Sequence, residues 1–342
     1  MIERIIVLGG KGGVGKSTIS ASTAIKISDS LPDKKVLLIS FDMAHNLSDL
    51  FKTNIGGKLT QLTNNLWGIE PDPNIYAEEY TKEFSEKMRA LMKKMPIIGS
   101  IPQIKTFIEK TFNSNSIPLA LKNSMFFQKI LDAEDLTEGI QFDIIVADFP
   151  PTGNMIALFE IPEDQVKLIL KYSLNVFNSI KDTLRGVRKA MVKMIKPFSQ
   201  DNEARKQLSR DIYNMLQDLD ARGDRITELI HDVGSLRLVT IAEKPSFEEI
   251  KRARELSKRF ISLDAIHANM LIPEKHAKKC QFCGKIREIQ QGYMEDIRTE
   301  FSNIKIWESK RFEREPIGLG RLREFAKEVY KDMDVNGILY PK

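Results

Sequence analysis

The 342-residue sequence predicts an α/β protein, a doubly wound and mostly parallel sheet with a helical insertion subdomain. Three observations predict it. Short apolar runs recur at residues 5–8, 35–42, 66–70, 142–148, 236–242, 265–271 and 304–307, as buried parallel strands require. Helical periodicity separates them at 19–30, 248–260 and 319–333. The first strand runs straight into a glycine-rich loop and a helix, the opening unit of many parallel sheets. Two stretches break the alternation. From about 76 to 136, and from 162 to 231, charged residues interleave with apolar ones in a helical manner without strand signals. The core is therefore expected at 1–75, 140–165 and 235–342, and the helical subdomain at 76–139 and 166–234.

The first strand leads into Gly9-Gly10-Lys11-Gly12-Gly13-Val14-Gly15-Lys16-Ser17-Thr18. Gly10, Gly15, Lys16 and Ser17 fit the spacing of a phosphate-binding loop, G-x-x-x-x-G-K-[ST]. The glycines let backbone N–H groups of residues 10–18 turn inward around an anion, and the helix that follows offers its positive end. In such a loop Lys16 reaches the β- and γ-phosphates, and the Ser17 hydroxyl ligates Mg²⁺.

Composition narrows the class. Hydrophobic content of 42% beside 29% charged residues is that of an ordinary folded protein. A net charge of +5 suits an anionic ligand and does not argue for nucleic acid. Uncharged runs are too short for a membrane helix, and the N-terminus enters a core strand without a leader-like stretch. With only two cysteines, a disulfide scaffold is not expected, and the protein reads as cytoplasmic.

The second strand ends in Asp42-Met43-Ala44-His45-Asn46-Leu47-Ser48-Asp49. An aspartate at the carboxyl tip of a parallel strand faces the ligand crevice, where Asp42 can orient an attacking water or cap the next helix. In the first insertion Met88, Met92 and Met95 share one helix face. Met191 and Met194 form an apolar edge in the second, beside Arg185, Arg188, Lys189, Lys193 and Lys196. Methionine suits both a groove for varied apolar helices and ordinary core filling, and the sequence leaves both open. The strand at 142–148 ends in Asp148, the position of an aspartate that holds Mg²⁺ directly or through water. Phe149-Pro150-Pro151-Thr152-Gly153-Asn154 follows as a rigid turn that could sense a γ-phosphate.

Cys280-Gln281-Phe282-Cys283 places two thiols in one tight turn. Such a pair can bind a metal or act in redox chemistry. A structural zinc needs further ligands, supplied by the same pair of a second copy or in part by His276.

Lys11 makes the loop K-G-G-x-G-K-[ST], which resembles the deviant loop of the class containing nitrogenase iron protein and the partition and septum-site ATPases. That resemblance implies that Lys11 crosses a dimer interface to the partner's nucleotide. The chain is more closely similar to the ATPases for guided entry of tail-anchored proteins, within the arsenical pump-driving ATPase superfamily. That family's first switch, D-P-A-H-N-L-S-D, matches residues 42–49 except at Met43. Its second, D-T-A-P-T-G-H, matches at Asp148, Pro151, Thr152 and Gly153 and departs at Phe149, Pro150 and Asn154. Its N-x-L, C-x-x-C and Q-x-x-Y elements correspond to Asn269-Met270-Leu271, Cys280 with Cys283, and Gln290 with Tyr293.

The resemblance implies ATP and Mg²⁺ as cofactors, Asp42 as the water-handling residue and Asn269 as the adenine reader. It implies a Zn²⁺ shared by the cysteines of two subunits, in a homodimer or tetramer. It implies tail-anchored clients, bound in a methionine-lined groove, and transient delivery to a membrane receptor. Arsenite-pump driving and iron–sulfur carriage by related ATPases are the alternatives. A septum-site role is disfavoured because the chain closes on Leu339-Tyr340-Pro341-Lys342 with nothing suitable as a membrane helix after Met333.

Overall fold

The computed structural model describes residues 2–41, 46–71, 140–151 and 228–341. All belong to one compact unit, Met1–Asp72 with Lys129–Phe159 and Glu228–Lys342. The other unit, Pro73–Gln128 with Glu160–Thr227, lies outside the described residues, as do Asp42, Met88, Met92, Met95, Met191 and Met194.

Strand β1 (Arg4–Gly10), helix α1 (Lys16–Ser30), β2 (Val36–Ser40), α2 (Asn46–Phe51), β3 (Thr60–Gln61) and β4 (Leu66–Ile69) form the first half. After the first insertion come β5 (Ile144–Asp148), β6 (Gly234–Ile241), α3 (Lys244–Ser257), β7 (Leu263–Leu271), α4 (Glu274–Ala277), α5 (Gln281–Glu300), β8 (Lys305–Lys310), α6 (Leu319–Tyr330) and α7 (Val335–Leu339). The eight strands form one sheet in the order β3-β4-β2-β5-β1-β6-β7-β8. Every pairing is parallel except β3 with β4. The predicted doubly wound sheet is thus the observed one, with β1 at its centre.

Burial explains why the strand sequences are apolar throughout. β1, β2 and β5 are buried at every position. Alternate residues, Ile6, Leu8, Val36, Leu38, Ile144 and Val146, join the core under α1 and α6. Helix α3 packs on β1 and β6, contributing Ile250 and Ala253. Covering both faces removes the polar–apolar alternation of a half-exposed sheet.

Helix α1 is small and hydroxylated as well as apolar because it is nearly engulfed. Ser20, Ser22, Thr23 and Ser28 are all buried. The Thr23 hydroxyl lies 2.7 Å from Ile19 O and shares a 2.6 Å hydrogen bond with the Tyr330 hydroxyl of α6. Several element ends differ from the sequence expectation for local reasons. α1 starts at Lys16 rather than 19, because Gly15 takes a left-handed conformation as its N-cap. α6 stops at Tyr330 because Lys331 turns to φ +50°. The short β3 and α7 carry too little periodicity to be predicted.

A buried polar cluster closes the α6 side of the sheet. The fully buried Arg237 donates to Ile338 O and lies 5.3 Å from the centre of the Trp307 ring. Trp307 stacks on His267 at 4.8 Å, and Tyr330 meets both rings edge-on. Burial, reinforced by the nearby Arg237 cation, pushes the His267 imidazole well below its ordinary value of 6.5. Burial also lowers Arg237 and raises Tyr330. His267 therefore stays neutral in the folded state, whereas the unfolded chain takes up a proton below about pH 6.5. The unfolded state then binds more protons, so stability falls as pH falls through that range. We expect a loss of up to about 1.4 kcal/mol per pH unit below pH 6 from this residue. Denaturant titration at pH 5 and 7 checks it; His267→Phe should flatten that part of the slope.

Candidate functional site

The carboxyl ends of the parallel strands converge beside the loop that joins β1 to α1. Register sets this convergence: Leu8 pairs with Asp148, Ser40 with Asp148, Gly10 with Val239, and Ile241 with Asn269. Strand order reverses around β1, so the ends splay and leave the crevice where doubly wound sheets take ligands.

The loop's shape depends on its glycines. A Cβ on Gly10, at φ +149°, would lie 2.2 Å from Val239 O. Gly15, at φ +89°, would drive a Cβ to 2.4 Å from Asn269 Nδ2. Gly13 is also left-handed but has open space around it. Val14 is buried, pinning the loop, while Lys11, Gly12 and Gly13 are exposed on its outer side. Lys16 is buried, and its Nζ donates to Lys11 O at 3.4 Å, so the ammonium curls over the loop it serves. Ser17 and Thr18 are half-buried on the first turn of α1.

Asp148 is fully buried at the tip of β5. The Ser40 hydroxyl donates to its Oδ2 at 3.3 Å. The Ser20 hydroxyl lies 3.2 Å from its Oδ1 and 2.9 Å from Lys16 O, and can donate to either. These contacts fix a carboxylate one strand away from the loop that joins β1 to α1. The Pro151 side chain lies 3.9 Å from where a Cβ on Gly12 would be, which brings the turn that follows β5 to the loop. The Phe41 N–H donates to Asp148 O at 2.8 Å, tying down the backbone that leads into Asp42.

On the other flank Asn269 is buried at the end of β7. Its Nδ2 donates to Val14 O at 2.9 Å, and its Oδ1 accepts from Met270 N at 2.9 Å and from Ser309 Oγ at 2.7 Å. The carboxamide therefore fastens the phosphate loop, a role the sequence did not suggest. Met270 adopts φ +61°, a left-handed state that costs a bulky residue about 1–3 kcal/mol. Gln290 of α5 clasps this segment, accepting from Ile272 N at 2.8 Å and donating to Met270 O at 3.2 Å.

Glu70 is a further residue that sequence patterns did not single out. It is buried, and its carboxylate accepts from Leu47 N at 2.8 Å and from Ser48 Oγ at 3.2 Å. It thereby anchors the first turn of α2 at Leu47 and Ser48. A carboxylate directly after an apolar strand was the available signal.

Cys280 and Cys283 lie away from the loop, at the start of α5. Cys280 is exposed and caps the helix, its Sγ accepting from Cys283 N at 3.4 Å. That backbone N–H lowers the Cys280 thiol, while its hydrogen bond with Cys280 raises Cys283. The His276 Nε2 lies 3.1 Å from Glu313 Oε1. Among the described residues no group of three or more His, Cys, Asp or Glu side chains is placed to hold a metal within one chain. No helix among them is long and apolar enough to cross a membrane.

Gly10 and Gly15, each with no room for a Cβ, separate folding from binding. Gly10→Ala drives a Cβ into backbone and should destabilise the protein by about 3 kcal/mol, seen as a fall in Tm. Gly15→Ala instead displaces the Asn269 amide. We expect a loss of affinity for a fluorescent ATP analogue of about tenfold or more, beyond any change in Tm.

The anion-transporting ATPase family matches residues 3–331. A chain of Aquifex aeolicus, provisionally named arsenical pump-driving ATPase 2, is 29% identical over 95% of this chain and 98% of its own length. The ATPase GET3 of Debaryomyces hansenii is 27% identical over 96% of this chain and 90% of its own. A chain of Chlorobaculum tepidum, with a similar provisional pump-driving name, is 26% identical over 98% of this chain and 78% of its own. With a complete phosphate loop, a buried aspartate beside it and a family match along nearly its whole length, the chain belongs to the anion-transporting ATPase family and hydrolyses ATP.

Proposed function

We propose that this ATPase is a homodimeric targeting factor that carries the membrane helix of tail-anchored proteins to a membrane. The observation that supports this most is the end-to-end similarity to chains named ATPase GET3, spanning both insertions. The family resemblance drawn from Asn269, Cys280, Cys283, Gln290 and Tyr293 points the same way. In this proposal residues 1–75, 140–165 and 235–342 are the nucleotide core, and 76–139 with 166–234 the client-binding subdomain. Met88, Met92, Met95, Met191 and Met194 line its groove.

The chemistry is in-line attack of water on the γ-phosphate, helped by positioning and charge. The backbone of Gly10 to Thr18 cradles the phosphates, and Lys16 neutralises the β- and γ-oxygens. Asp42 orients the water, and Lys11 reaches the partner's nucleotide. Asn269 sits on the adenine side. The donor set of the Ser17 hydroxyl and a buried Asp148 carboxylate fits Mg²⁺, which supplies charge neutralisation. ATP favours the closed dimer only by binding it more tightly than the open one. The thiols at the start of α5, Cys280 exposed and Cys283 half-buried, suit Zn²⁺ bound jointly with the same pair of a second copy. Work in the cytoplasm, with transient contact at the membrane, completes the proposal.

Capture of a tail-anchored protein by Asp42→Asn held in ATP is the expected outcome in a pull-down. The same protein with Met88, Met92 and Met95 changed to Ser should capture several-fold less, and equal capture would remove the groove. Metal analysis should find about half a zinc per chain, lost in Cys280→Ser.

Arsenite-pump driving is the second candidate, favoured by the names of the Aquifex and Chlorobaculum relatives. Stimulation of ATP hydrolysis by arsenite would support it against the targeting role.

A further inference from the structure

We infer that Gln290 is a positioning residue for the nucleotide site, acting through Asn269 on the backbone of the phosphate loop. Three links carry this. Gln290 is largely buried on α5, and its carboxamide spans the segment after Asn269 as both acceptor and donor. Arg287, one helical turn earlier, donates to Ile272 O at 2.6 Å and grips the same segment. Between these grips stands Met270 in its left-handed conformation, with its Cε 3.5 Å from where a Cβ on Gly15 would be.

A left-handed bulky residue persists only where its surroundings over-determine it. Here the surroundings are the two carboxamides, Gln290 outside and Asn269 inside. Met270 N donates to Asn269 Oδ1, and Met270 O accepts from Gln290 Nε2, so the strained residue is held at both of its backbone groups. Relaxing Met270 would turn the Asn269 amide and release Val14 O, which that amide holds at 2.9 Å. Val14 and Gly15 supply the inner wall of the loop, so the grip on Met270 becomes a grip on phosphate. Ser309 of β8 supports the same Asn269 oxygen but touches neither Met270 nor Ile272 in its hydrogen bonding, so it does not replace Gln290. The inference rests on nucleotide binding at the phosphate loop and is independent of which client, if any, the protein carries.

The test is a double-mutant cycle on the full chain, without client, reading Kd for a fluorescent ATP analogue, kcat and Tm. Gln290→Leu removes two part-buried hydrogen bonds and should weaken binding about tenfold while kcat at saturation stays within about twofold. In an Asn269→Ala background the same change should weaken binding by less than about twofold, because the path to Val14 is already cut. Gln290→Glu keeps the acceptor for Ile272 N and loses the donor to Met270 O. It should bind about threefold more weakly than the parent and serves in place of Gln290→Leu should that variant not fold. Unchanged Kd in the folded Gln290 variants, or losses that multiply fully in the double variant, would overturn the inference. A fall in Tm without a change in Kd would assign Gln290 to packing alone, which also overturns it.

Discussion

The constraint on which the phosphate loop depends is the contact between the end of β1 and the backbone of β6. Gly10 lies so near the carbonyl of Val239 that no side chain fits between them. That approach lets β1 sit centrally, paired on both sides, while its continuation swings out to form the loop. Move β1 outward and the loop would lose Val14 from the core and the Asn269 amide from its carbonyl. The core positions the phosphate loop from below, and β7 clamps it from the side.

The polar groups at the carboxyl edge are organised differently from those in the α6-side cluster. At the edge nearly every carboxylate and carboxamide has short partners. Asp148 has Ser20 and Ser40, Glu70 has Leu47 and Ser48, and Asn269 has Val14, Met270 and Ser309. Such satisfaction fixes the groups before any ligand arrives, and preorganisation of this kind is what phosphoryl transfer requires of a protein. In the cluster around Arg237, by contrast, a fully buried cation is surrounded mainly by aromatic rings, with the Ile338 carbonyl and the Tyr330 hydroxyl as polar partners and Asp264 nearby. Its cost is expressed as depressed basicity in Arg237 and His267.

Much of this was legible in the sequence. Apolar runs gave seven of the eight strands close to their observed ends, most plainly β1, β2 and β5, which are buried at every position and leave no polar alternation to confuse the pattern. The loop from Gly10 to Thr18 was legible because its chemistry demands glycine at fixed spacings. What escaped was whatever depends on contacts far along the chain. Ser20 and Ser40 meet Asp148 from separations of more than a hundred residues, and a serine in a helix or strand carries no mark of its partner. Glu70 looked like a strand end rather than an anchor for α2. Asn269 was expected to face a base, and its grip on Val14 appears only when β7 is laid beside the loop. Met270 gave no sign of a left-handed backbone, since methionine has no preference for one.

The threading of the sheet has a consequence for how the protein comes into being. β1 is made first, yet its hydrogen-bonding neighbours, β5 and β6, begin at Ile144 and Gly234. Arg4 in β1 also donates to Leu339 O, and Arg237 in β6 to Ile338 O, so the centre of the sheet is latched to the closing residues. The opening strand therefore completes its pairing only after β6, more than two hundred residues later, has been made. A chain lacking α7 would lose both of these latches on the centre of the sheet. An unpaired apolar strand edge of this kind favours aggregation, so the long reach from β1 to α7 sets a folding demand as well as a structural one.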